Sequence, residues 1–270
     1  MKKLVIIIIS ILIYSCTNIS KIDGLLDEVE VLRDNYGINH IYANNQKDLF
    51  FMQGYLAAKD RLFQFEIWRR QATGTVAEIF GEDELERDIG TRLFKFRGNM
   101  VDELNHYHED GFEIVSSFVS GINKYIEEVN KEPNLLPIEF DILGIKPEKW
   151  TNEDVISRHQ GLLGNIEQEL NIGRAVSLIG EEKVKELMWF HPKDPDISLD
   201  NDLTYEDLKQ DILRLYNAYR EPIEFKKHYI LDKYQSKDEI TYTKSNIHIN
   251  DEYSIGSNNW AVSGDKSFNG

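Results

Sequence analysis

An α+β fold, mainly helical with one N-terminal hairpin, is what this 270-residue sequence predicts. Three observations carry the prediction. Residues 29–33 (Val-Glu-Val-Leu-Arg) and 38–42 (Ile-Asn-His-Ile-Tyr) alternate in polarity, and Asp34-Asn35-Tyr36-Gly37 between them supplies turn residues. From about Asn45 to Ala72 the period changes. Leu49, Met52, Leu56, Phe63 and Ile67 recur at helical spacing, and Gly74 ends the run. Residues 82 to about 130 then read as further helices rich in Glu, Lys and Arg, with Leu93, Phe94, Phe96, Ile114, Val115, Phe118, Val119, Ile122 and Tyr125 as core contacts.

Ahead of the hairpin, Lys2-Lys3 and an apolar run from Leu4 to Tyr14 make an export signal, too short for a membrane span of about 20 residues. The run ends at Ile13-Tyr14-Ser15-Cys16, which resembles the bacterial lipoprotein box, with Cys16 as the acylated first residue of the mature chain. An ordinary secretory signal with an incidental cysteine is the alternative. Cys16 is the single cysteine, so an intramolecular disulfide is excluded. Residues 17–27 are a polar tether. The formal net charge of −16 repels phosphate backbones and argues against nucleic-acid binding. With 41% apolar and 11% aromatic residues the chain is globular in composition.

Pro133, Pro137 and Pro147 punctuate a loop. Thr151-Asn152-Glu153-Asp154 reads as a helix start, Thr151 capping and Asp154 near the positive end of the dipole. One helix is expected over about 152–172, another over 174–189, and an amphipathic stretch over about 204–219. Residues 226–256 are polar with little helical period, as in a spacer or a long loop. His40, with no other ligand at metal spacing, is expected to be hydrogen-bonded within the hairpin, and the remaining histidines make no zinc pattern.

Gly256-Ser257-Asn258-Asn259-Trp260-Ala261-Val262 suits a chain that is cut before Ser257. The freed α-amine, with a pKa of roughly 7.7–8.0, would serve as base to a hydroxyl on the same residue. Gly256 leaves the attacked carbonyl unshielded. The same residues also suit a plain turn leading into a strand.

Gly256 to Gly264 resembles the processing site of the penicillin acylase family of N-terminal-nucleophile hydrolases. A second, longer run resembles the opening of that family's α-chain: Val31-Leu32-Arg33-Asp34, His40-Ile41-Tyr42-Ala43, Ala58-Lys59-Asp60-Arg61-Leu62-Phe63-Gln64, Arg69-Arg70 and Ala77-Glu78-Ile79-Phe80-Gly81. The resemblance implies that residues 28–225 are an α-chain region, 226–256 a spacer and 257–270 the start of a β-chain. It further implies a four-layer αββα fold, with Ser257 the nucleophile in hydrolysis of a small N-acyl amide, of penicillin or acyl-homoserine-lactone type. Asp60, Arg61 and Glu66 fall in scaffold, where an ion-pair network is expected. The helix from 152 is implied to line an acyl pocket, with His159, Leu162 and Leu163 near it, and Glu169 to hold calcium together with β-chain carboxylates. Glu167 is the rival one turn-register away, and a solvent-facing glutamate the alternative. Family β-chains run to several hundred residues, so the chain is expected to be a fragment or an interrupted frame, inactive alone. The competing class is a non-enzymatic helical surface lipoprotein that binds a ligand or partner.

Overall fold

A computed structural model describes residues 21–159 and 166–235, with Arg158 and His159 described by backbone alone. The chain divides into two compact units, Met1–Leu231 and Asp232–Gly270. Of the second, the described part is a single 3-10 turn at Asp232–Tyr234. The first is mainly helical, and its sheet among the described residues has two strands.

The expected hairpin is formed by β1 (Glu30–Arg33) and β2 (Asn39–Tyr42), antiparallel, with Glu30 opposite Tyr42 and Arg33 opposite Asn39. Asp34 builds its turn. Its Oδ1 accepts the N–H groups of Tyr36 and Ile38, both at 2.9 Å, and Gly37 closes the turn at φ +81°. His40 Nε2 lies 3.2 Å from Asp34 Oδ2, the hydrogen-bonded role expected of it. The Ile38 N–H and then His40 hold the Asp34 carboxyl below the usual carboxylate range.

Helix α1 (Gln46–Thr73) starts at Asn45, whose side chain accepts the Asp48 N–H, and ends at Gly74 in the left-handed region at φ +69°. Asp48 is buried and accepts the N–H groups of Leu26 and Asp27, each at 2.8 Å, which ties the arm before the hairpin to the first turn of the helix. The core face differs from the expected one. Met52 is buried, but Leu56, Phe63 and Ile67 are only partly so and Leu49 is exposed; Phe51, Tyr55, Ala58, Leu62 and Phe65 line the core instead. The helix is apolar on more than one side and bends at Arg61 (φ −142°, ψ 36°), so its packing partners select the face.

The chief partner is α5 (Gly111–Lys131), which supplies Val119, Ile122, Tyr125, Ile126 and Val129 to the same core. The two helices approach so closely that a Cβ on Gly54 would lie 2.0 Å from the Phe118 carbonyl oxygen, and one on Gly121 would lie 1.9 Å from that of Phe51. Only glycine fits at this crossing. Phe140 of α6 (Ile138–Leu143) and Trp150 complete the core, Trp150 packing on Phe65 with ring centroids 5.3 Å apart.

Between these helices lie α2 (Ala77–Phe80), α3 (Leu85–Phe94) and α4 (Met100–Tyr107). Asp88 of α3 accepts the N–H groups of Val76 and Ala77 at 2.9 and 2.8 Å, and burial raises its pKa against those bonds. Leu93 and Phe94 were expected in the core but are exposed. The inward side of α3 is occupied by Arg87, Asp88, Gly90 and Thr91 against α11 (Arg214–Arg220), where a Cβ on Gly90 would meet the Leu215 carbonyl oxygen at 2.2 Å. At Gly90 such close packing admits no side chain; Leu93 is turned outward, and Phe94 lies against the rings of Tyr216 and Tyr219 with centroids 5.8 and 5.3 Å away. Arg87 clamps the join by donating to the carbonyls of Glu221 and Pro222.

Helix α7 (Asn152–His159) begins where expected, and α8 (Ile166–Ile179) follows the undescribed residues 160–165. The expected break near 173 does not occur. Gly173 lies inside α8, and the chain turns instead at Gly180 (φ +83°), ahead of α9 (Glu181–Leu187). The stretch 204–219 is two short helices rather than one, α10 (Tyr205–Leu208), with a Thr204/Asp207 capping box, and α11. Packing continues past 225: Phe225 and Tyr229 stack on Phe80, and the Leu231 N–H donates to the Ile142 carbonyl at 2.9 Å. No helix among the described residues is long and apolar enough to cross a membrane.

Candidate functional site

The backbone that leads into the helix expected to line a pocket, from 152 onward, is held by a polar framework built from α1 and α5. Asn123, on α5, donates from Nδ2 to the Trp150 carbonyl at 2.9 Å, and its Oδ1 accepts the Trp150 N–H at 2.8 Å. This reciprocal pair fixes the backbone that enters α7. Asn152 adds a bond from Nδ2 to Ser116 Oγ at 2.7 Å. Asp154 reaches back to accept the Thr151 N–H at 2.7 Å, so the helix start expected here is closed by the Asp154 carboxylate. Burial raises the Asp154 pKa, and the Thr151 bonds and the Arg69 charge oppose the shift.

Beneath lies a buried charge cluster. Glu66 Oε1 accepts from Arg69 Nη2 and Arg70 Nε, each at 2.8 Å, and its Oε2 accepts the Glu148 N–H at 3.0 Å. Arg69 also pairs with the Glu148 carboxylate at 2.9 Å, and Arg70 with Glu78 at 2.7 Å. A buried carboxylate is tolerable only when its lone pairs are matched in this way. The ion-pair reading of Glu66 is therefore met. Asp60 belongs to a separate exposed group, accepting from Arg33 Nη1 at 2.8 Å and Asn39 Nδ2 at 3.1 Å, while Arg61 is exposed at the bend of α1. Asn123 and Glu148 were not foreseen. A lone amide among Ile122, Tyr125 and Ile126 on an apolar helix was the available signal for Asn123; the 66/69/70 spacing was the signal for the pairing of Glu66.

The sequence-predicted site residues are distributed unevenly over this framework. Ser257, Gly256, Cys16, Leu162 and Leu163 lie outside the described residues. His159 is the last residue of α7, described by its backbone alone. Glu169 stands in the first turn of α8 as an exposed carboxylate. Its rival Glu167, with Gln168, Asn171, Ile172 and Met188, lines an open concavity of about 370 Å³. No group of three His, Cys, Asp or Glu able to hold a metal occurs among the described residues. Calcium takes six to eight oxygens, so Glu169 with its described neighbours does not make a calcium site by itself.

Comparison with known proteins gives this framework a context. The penicillin amidase family model matches residues 28–270. Penicillin G acylase of Escherichia coli is 36% identical over 139 residues, which cover 51% of this chain and 16% of that protein. The acyl-homoserine lactone acylase QuiP of Pseudomonas syringae pv. syringae is 29% identical over 180 residues, 65% of this chain and 21% of that protein. The chain thus spans about a fifth of these relatives. Among solved structures, a thermostable penicillin G acylase from Alcaligenes faecalis matches with a TM-score of 0.51 at 28% identity, covering 64% of this chain and 97% of that chain. A family match running from residue 28, just ahead of the hairpin, to Gly270 leaves one assignment: the chain belongs to the penicillin amidase family.

Proposed function

We propose that this chain is the α-chain region, with the first β-chain residues, of an exported acylase that hydrolyses the amide bond of an N-acylated small molecule. The observation that carries the reading is the family match, whose bounds, residues 28–270, include Gly256-Ser257. Kinship to both penicillin and acyl-homoserine lactone acylases supports an amide substrate with a variable acyl group. In maturation, Ser257 Oγ attacks the Gly256 carbonyl; the peptide C–N bond breaks as the ester forms, which frees the Ser257 α-amine, and water then hydrolyses the ester to leave the Gly256 carboxylate and the Ser257 hydroxyl. In turnover the same Oγ attacks the substrate carbonyl. The α-amine takes the hydroxyl proton through a water and passes it to the leaving amine, and a second water hydrolyses the acyl-enzyme.

His159, Leu162 and Leu163 are assigned to the neighbourhood of the acyl group, on the segment whose entry Asn123 and Asp154 fix. Glu169 contributes one carboxylate to a calcium ion whose other oxygens come from the β-chain; calcium there would cross-link the two chains. The β-chain also completes a four-layer αββα core. Cys16 carries the lipid that holds the enzyme on the outer side of a bacterial membrane.

The test uses a polypeptide continuing past Gly270 into a β-chain. Wild type should be cut, and sequencing of the smaller fragment should begin Ser-Asn-Asn-Trp; Ser257→Ala should remain a single chain without amidase activity. An alanine variant that matures and hydrolyses amides at the wild-type rate overturns the assignment and leaves residues 256–262 as a turn and strand.

A further inference from the structure

We propose that the outward face of the β1–β2 hairpin rests on a zwitterionic lipid surface, a contact that goes beyond the acylase reading and rests on its lipid anchor at Cys16. In the hairpin, Val31 and Ile41 pack inward against the helical core. The opposite face is where a polar surface is expected of a half-buried antiparallel sheet. It carries Leu32, 50% exposed, and Tyr42, 57% exposed, diagonal to one another in the register, with exposed His40 opposite the first and exposed Glu30 opposite the second. The turn adds Tyr36 at 91% and Ile38 at 57%, and the preceding arm adds Leu26 at 66% exposure. Five large apolar or aromatic side chains are thus presented on one short stretch of an acidic protein.

The length of the tether selects the occupant. Ile22 and Leu25 already pack on the core, so the fold holds the chain from residue 22 onward. Five residues separate Cys16 from Ile22, and the six steps between the two span about 20 Å at full extension. An acyl group on Cys16 therefore keeps this corner of the protein close to the bilayer surface, where tyrosine rings and short apolar side chains partition into the headgroup layer. Between residues 21 and 42 stand five carboxylates (Asp23, Asp27, Glu28, Glu30, Asp34) and two cations (Lys21, Arg33), a balance that favours neutral over anionic headgroups.

The experiment takes the chain as purified from membranes of an exporting host, with acylation of Cys16 established by mass spectrometry. Single cysteines at Tyr36→Cys, Ile38→Cys and, as control, Glu182→Cys carry an environment-sensitive fluorophore, in phosphatidylcholine vesicles containing spin-labelled lipid. Labels at 36 and 38 should shift to the blue and be quenched at least threefold more than the label at 182. Equal quenching at all three positions in the acylated protein overturns the docking proposal alone, whereas an unmodified Cys16 overturns the anchor on which it rests. Protection of position 36 by an added β-chain polypeptide and not by vesicles assigns the face to that polypeptide and also overturns it. Quenching that is as strong in phosphatidylglycerol vesicles at low salt overturns the choice of a neutral surface.

Discussion

The α1–α5 pair and the α8–α9 pair are built on opposite principles. At the first, two long helices meet backbone to backbone at Gly54 and Gly121 and enclose a core that runs from Phe51 to Trp150. In the second, no residue of α8 is buried, α9 buries Val184 alone, and Leu178, Ile179, Leu187 and Trp189 are exposed. The first region contains enough internal apolar contact to define its own geometry. The second presents apolar surface without enclosing it, and it carries Glu167 and Glu169. Stability should therefore respond to small changes in the first region and be nearly indifferent to them in the second.

The largest effect is expected at the helix crossing. In Gly121→Ala the added methyl would lie 1.9 Å from the Phe51 carbonyl oxygen and the Cβ position 2.7 Å from the Tyr55 nitrogen. Neither neighbour is a side chain that can rotate away, so the helices must separate along their whole contact. A loss of about 3 kcal/mol is expected, at the upper end for overpacking. Urea denaturation followed by circular dichroism checks it; a variant within about 0.5 kcal/mol of wild type would mean that the crossing is looser than these distances.

An intermediate effect belongs to the arm that this core holds. In Asp48→Asn one carboxylate oxygen becomes an NH₂ facing a backbone N–H, of Leu26 or of Asp27, and about 2 kcal/mol should be lost at pH 7. The sign of the pH dependence follows from the direction of the shift. Burial raises the Asp48 pKa, but the bonds from Leu26, Asn45 and Asp27 outweigh it, and the folded-state value is below 3.8. Its contribution is thus complete above the unfolded carboxylate pKa and is lost as pH falls through the folded value, so the gap between wild type and variant should narrow below about pH 4. Asp88 and Asp154 shift upward, and their contributions run the other way, weakening as pH rises through their folded values. A gap that stayed constant from pH 7 to pH 2.5 would remove the charge of Asp48 from the account.

What the sequence made legible follows the same division. The hairpin, the start of α1 near Asn45, the stop at Gly74 and the start of α7 after Thr151 are local devices, each written in a few adjacent residues. The buried face of α1 was not legible. Phe51, Leu56, Phe63 and Phe65 surround the helix, and only the approach of α5 decides which of them are enclosed. Gly54, Gly90 and Gly121 carried no sign of their role, because a helical glycine looks the same in sequence whether a backbone or open solvent lies against it. For the candidate site, the chemistry of Gly256-Ser257 was legible as a motif, while the supports of α7 were not: Asn123 and Trp150 are 27 residues apart, and only the fold pairs them.

The smallest effect provides the sharpest contrast, because the same substitution should change sign between the two regions. Gly173 lies inside α8 without positive φ, and a Cβ there would meet only Leu199 Cδ2, at an ordinary 3.5 Å. Gly173→Ala removes backbone freedom from the unfolded chain and inserts the best helix former, so it should stabilise the α8 region by about 0.5–1 kcal/mol. If α8 opens locally before the core does, the gain will appear as slower amide exchange in residues 166–179 with an unchanged global melt. If it unfolds together with α1 and α5, the gain will appear in the melt itself. Destabilisation by Gly173→Ala, comparable to that of Gly121→Ala, would show that α8 is packed as closely as the α1–α5 crossing and would erase the distinction between the two regions.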